Sequence, residues 1–179
     1  MAIETNSAFG RWERRAAGLA TTLVVFGGAC LVLACLLTGL SIVGSVTIRP
    51  LPGEIELVEA LCGLAVFAFL PYCQLKRGHV GVDLVMSAFG GKAMDYAQLA
   101  GDLIVAILFA VLTWRHGVGL LDKYGNGETT PLLLLPLWWG FAAAFVLMLA
   151  NLLICVFVVA ADLRALRHGN TILVSMGSH

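Results

Sequence analysis

The chain has 179 residues, 60% of them hydrophobic and 12% charged, with eleven basic residues balancing eleven acidic ones. A soluble domain carries about a quarter charged residues because its surface must be wetted. A water-soluble globule is therefore excluded, and zero net charge gives no reason to expect nucleic acid as a partner. The mean hydropathy of +0.93, with charges confined to short clusters between long apolar stretches, describes an integral membrane protein.

Residues 1–15 are polar, with Arg11, Arg14 and Arg15 around Trp12, and apolar residues then run from Ala16 to about Val46. A signal-peptide core has about 7–15 apolar residues and a small-residue cleavage site; this run is about twice as long and reads as a retained first span. Ser41 and Ser45 form a small-xxx-small pair near its far end, a spacing that lets a second helix approach.

Arg49-Pro-Leu-Pro-Gly53 is a turn by composition. The second span follows, from about Glu54 to Arg77. A helix of that extent is about 36 Å long at 1.5 Å per residue, enough for a hydrocarbon core of about 30 Å. Its acidic start and basic end fall on opposite sides of a bilayer. Glu54 and Glu56 in the first turn suit the positive end of the helix dipole. Glu59 lies a turn or more deeper, where a carboxylate is costly; it is a candidate for contact with a protein partner, with snorkelling to the headgroups as the alternative. Pro71 removes the bond to the carbonyl of Phe67.

Beyond Gly78, Val82, Val85, Met86 and Phe89 recur at i, i+3, i+4 and i+7, while His79, Asp83 and Ser87 recur on the other face. This pattern predicts a short interfacial amphipathic helix over about 79–89. His79 and Asp83 alone make an incomplete metal site and read as an i,i+4 pair.

The third span, about 94–121, contains Asp95, Gln98, Asp102, Arg115 and His116. Its uninterrupted apolar core, Leu103 to Trp114, is short for a crossing, so a long tilted helix shielded by neighbours is expected. Asp102 is the most deeply placed carboxylate, read as a structural partner for a Lys or Arg near the cytoplasmic side, with a cation or proton site as the alternative. The 123–131 segment is a loop by composition. The fourth span covers about 132–161, bent or started at Pro136, with Asn151 as an interhelical hydrogen-bonding group.

The expected architecture is all-α: a single four-span membrane domain over 1–168 and a flexible tail over 169–179. Eight basic residues (Arg11, Arg14, Arg15, Lys76, Arg77, Lys92, Arg164 and Arg167) fall on the termini and middle connection, against three (Arg49, Arg115 and Lys123) elsewhere. The positive-inside bias thus predicts both termini in the cytoplasm. The five cysteines are odd in number, form no C-x-x-C and suit packing in apolar helices. No catalytic constellation or phosphate loop is evident, and His79, His116, His168 and His179 lie at or beyond span ends, against a di-haem bundle. No cofactor or metal is expected.

Several motifs together carry a resemblance: Glu56-Leu57 opening span two, Lys76-Arg77-Gly78-His79-Val80 followed by Val82-Asp83, Thr129-Thr130-Pro131, and Pro136-Leu-Trp-Trp139. Over roughly residues 10–168 the chain resembles the small membrane subunit of tripartite ATP-independent periplasmic (TRAP) transporters. The resemblance implies a bacterial inner-membrane protein beside a large membrane subunit that carries the sodium and substrate sites. It also implies a periplasmic substrate-binding protein delivering an organic acid, and a scaffold role for the small subunit. Glu56, Glu59, Arg77, His79, Asp83 and Asp102 are then the candidate partner-interface residues. The competing classes are a membrane-anchor or redox subunit, which would need a cofactor-binding pair at equal depth, and a small stand-alone channel, which would need a polar stripe through several spans.

Overall fold

The computed structural model describes residues 8–47, 51–75 and 92–167. They form four helices: α1 (Ala8–Thr47), α2 (Glu54–Leu75), α3 (Lys92–Asn126) and α4 (Leu137–Arg167). Each contains a stretch long and apolar enough to cross a membrane. A bilayer forces this choice, since backbone N–H and C=O groups in hydrocarbon must be satisfied within the segment. Among the described residues no strand forms; the nearest approach is an isolated bridge between Thr129 and Pro136. The predicted interfacial helix, with Arg77, His79 and Asp83, lies outside the described residues, as does the 169–179 tail.

The helices pack in the order α1–α2–α4–α3. Small residues set the closest approaches. A Cβ on Gly27 of α1 would come within 3.1 Å of the Ala68 Cβ and the Phe69 ring of α2, so that crossing depends on the missing methyl group. About two turns toward the N-terminus of α1, Ala20 is fully buried and joins Leu75 of α2 with Ile154 and Val158 of α4 in one apolar cluster. Of the small-residue pair near the end of α1, Ser41 is buried, while exposed Ser45 turns its hydroxyl to the Ile42 carbonyl at 2.7 Å. The two serines therefore do not share a packed face.

α2 runs through buried Pro71 to Leu75. α4 begins at Leu137, so residues 132–136 belong to the loop and Pro136 starts the helix rather than bending it. α3 departs most from expectation. It is one long helix, yet only 6% of its apolar window is buried, against 39% for α4. Among the described residues it is the last helix of the layer and packs extensively on α4 alone, so its neighbours there leave most of it uncovered. The polar residues that it does bury are Gln98, Asp102 and Thr113.

Candidate functional site

The polar groups collect at two places, one near each end of α2. The first is a clasp between the start of α2 and the loop joining α3 to α4. The Glu56 carboxylate accepts the backbone N–H of Leu132 at 2.7 Å through Oε1 and that of Leu133 at 3.1 Å through Oε2. The turn before α2 makes this approach possible. Gly53 sits at φ +76°, and a Cβ there would lie 2.3 Å from the Leu133 Cγ. Only glycine meets both the left-handed backbone and the missing space.

The loop is closed by its own bonds. Thr130 N–H donates to the Leu135 carbonyl at 2.9 Å, Leu134 N–H to the Thr130 carbonyl at 3.2 Å, and Leu137 N–H to the Glu128 carbonyl at 3.0 Å. Leu134 is held at φ 53°, a conformation that costs an L-residue about 1–2 kcal/mol. Lys123 at the end of α3 pairs with Glu128 at 2.5 Å. Hydrogen bonding to that ammonium holds the Glu128 carboxyl below its ordinary range, against a smaller opposing effect of desolvation. Trp138 meets Tyr124 edge-on at 5.4 Å, tying the start of α4 to the end of α3. The result is a tied loop that leaves Leu132 and Leu134 about two-thirds exposed.

The second place is the carboxylate of Asp102, which is 1% exposed. It accepts hydrogen bonds from Gln74 Nε2 of α2 at 3.3 Å and from Gln98 Nε2, one turn back on α3, at 3.2 Å. The two glutamine amides are partners that the sequence reading did not name. The contact links α3 to α2, a pair that otherwise touches little. A second link lies toward the loop end, where the His116 ring stacks on Phe141 of α4 at 5.1 Å and 8° and meets Phe67 of α2 at 6.1 Å. Its Nε2 lies 3.1 Å from the Phe141 carbonyl.

Of the sequence-chosen residues, Glu56 and Asp102 are thus structural ties at separate places. Glu59 is exposed on α2, and its carboxylate makes no hydrogen bond or ion pair among the described residues. Asn151 is buried, as expected of an interhelical group, but neither its Nδ2 nor its Oδ1 meets a partner among the described residues. The residues buried on the same stripe of α4, Leu147, Met148, Ile154, Cys155 and Val158, offer it no carbonyl or hydroxyl side chain. The glutamine–aspartate cluster was missed, although Gln98 and Asp102 stand four apart and Gln74 breaks the apolar run of α2. The partners of Glu56 left no such trace, because they are backbone N–H groups. Among the described residues no group of three His, Cys, Asp or Glu could hold a metal ion.

The family of tripartite ATP-independent periplasmic transporters, DctQ component, matches residues 34–168, from the middle of α1 through all of α2, α3 and α4. The chain belongs to this family. It is thus a multi-pass DctQ component, the small component of a TRAP transporter. The clasp and the amide–carboxylate cluster both lie within the matched segment. No curated protein and no solved structure compared with the chain matches it.

Proposed function

We propose that this DctQ component is the static scaffold of a sodium-coupled, binding-protein-dependent uptake system for an organic acid in a bacterial inner membrane. It would stand beside a large membrane subunit that carries the sodium and substrate sites and receives substrate from a periplasmic binding protein. The observation that carries this reading is the continuity of the helices. Secondary-transport sites are commonly built from broken helices whose free ends meet ion and substrate at the bilayer midplane. Here α1, α2, α3 and α4 are unbroken, and the Gln74–Asp102 and His116–Phe141 contacts each tie one helix to another. Reconstitution tests the reading: vesicles holding all components should take up substrate on a sodium gradient, and vesicles holding this chain alone should take up none. Uptake by the chain alone would end the scaffold reading.

The same proposal sets the topology. Both termini and the 76–92 connection face the cytoplasm, and the Glu56 clasp faces the periplasm, in keeping with the eight-to-three distribution of basic residues. Exposed Glu59 is then a contact for the large subunit near the periplasmic end of α2. Arg77, His79 and Asp83 would belong to the interfacial helix on the cytoplasmic side.

A further inference from the structure

We propose that α2 bows at Pro71 into a second state, in which the Phe67 carbonyl accepts a hydrogen bond from Asn151 Nδ2 of α4. Two unmet groups point to it. Asn151 is 1% exposed, and neither polar atom of its amide meets a partner among the described residues or keeps surface open to water. Proline carries no N–H, so the Phe67 carbonyl lacks the donor that position 71 would otherwise supply one turn on. In a membrane helix a carbonyl freed in this way is satisfied again by a neighbouring helix, a side chain or water.

Packing brings the donor and the acceptor to one level. α2 and α4 run parallel: Glu56 near the start of α2 holds the loop before α4, and Leu75 at its end clusters with Ile154 and Val158. One turn back on each helix, Pro71 falls level with the 150–154 stretch that contains Asn151. Both residues are almost completely buried. Helix side chains lean toward the N-terminus, while backbone carbonyls point toward the C-terminus. In a parallel pair the Asn151 amide therefore reaches back to the height at which the Phe67 carbonyl points forward.

The two ends of α2 are held, one by the Glu56 clasp and the other by the Leu75 cluster and the Gln74–Asp102 bond. Movement is left to the stretch between them, and a proline marks where a helix bends most readily. The burial of Asn151 leaves no surface for a second subunit, so its partner has to come from the helices already around it. Closure satisfies a buried donor and a buried acceptor in one bond. That bond lies within this chain and is independent of its scaffold role.

The test uses the full chain in detergent, labelled with 13C-carbonyl phenylalanine and 15N-alanine. Only Phe–Ala pairs then give HNCO peaks, namely Phe67–Ala68, Phe109–Ala110 and Phe141–Ala142. Asn151→Leu should move the Phe67 carbonyl upfield, as loss of a hydrogen bond does, and leave the Phe109 peak in place. It should also lower the melting temperature by about 2–4 °C, the scale of one interhelical hydrogen bond in a chain of this length. Pro71→Ala gives the carbonyl a backbone donor within α2. In that background Asn151→Leu should leave the Phe67 peak in place and raise the melting temperature, because it then removes a buried amide without a partner. A Phe67 peak unmoved by Asn151→Leu alone, or a melting temperature raised by Asn151→Leu in both backgrounds, would overturn the proposal.

Discussion

Gly53 offers a test in which two physical effects can be separated. In Gly53→Ala the new Cβ would sit 2.3 Å from the Leu133 Cγ and within 2.8 Å of both its terminal methyls. Ordinary carbon contacts lie at about 3.5–4.0 Å, so the leucine must move away. The backbone at φ +76° adds a cost of about 1–2 kcal/mol for any L-residue, which a less flexible unfolded chain offsets by about 0.4–1 kcal/mol. Displacing half-buried Leu133 adds a penalty of overpacking type, about 1–3 kcal/mol. The expected loss is therefore about 2–4 kcal/mol. The readouts are thermal melting in detergent, followed by the fluorescence of Trp138 and Trp139, and hydrogen exchange across 127–136. Leu133→Ala removes the clashing atoms, so in that background Gly53→Ala should cost only the backbone strain, about 1 kcal/mol. If Gly53→Ala costs the same with and without the Leu133 side chain, the close approach is not what requires glycine. If it costs nothing in either background, the clasp is not part of the stable fold.

Asp102→Leu leaves the Gln74 and Gln98 amides without their shared acceptor, so a loss of about 2–4 kcal/mol is expected, visible as a lowered melting temperature. Asp102→Asn, which keeps an acceptor oxygen, should lose less, and equal melting of the two variants would refute the hydrogen-bond account. His116→Ala should destabilise by about 1–3 kcal/mol through loss of two ring contacts and the approach to the Phe141 carbonyl; His116→Phe, keeping the stack, should recover most of it. Glu128 titrates below its ordinary range because of Lys123, so its contribution is present above the unfolded-state value and lost as pH falls through the lower folded-state one. Acidification through that window should loosen the loop, as read by Trp138 fluorescence, and Lys123→Met should weaken the dependence. Glu59→Leu should insert normally, since leucine enters a membrane more readily than glutamate, but should recover less large subunit in pull-downs at matched membrane levels. Wild-type recovery would show that Glu59 only reaches to the headgroups. With the native cysteines replaced, Ser87→Cys should resist an impermeant thiol reagent added from the periplasmic side; strong labelling would reverse the topology.

Hydropathy and the length of the bilayer decided most of the architecture before any coordinates. A backbone in hydrocarbon has to be helical, so runs such as 16–46 and 57–73 could hardly be anything else. The motifs around Lys76–Asp83 and Pro136–Trp139 carried the likeness to the family that residues 34–168 match. What the linear pattern could not decide was which polar residue meets which. Glu56 looked like an ordinary first-turn acid, but it holds the N–H groups of Leu132 and Leu133, 76 and 77 residues away. Asp102 looked like one half of an ion pair, and nothing in the pattern showed that the amides of Gln74 and Gln98 bond it. Hydropathy measures how deep a side chain lies along the membrane normal, a single coordinate set by the solvent. Pairing depends on the two lateral coordinates, which come from helix order and rotation. Those were settled by close approaches, such as Gly27 on Ala68 and Gly53 under Leu133, that exist only once the helices have packed.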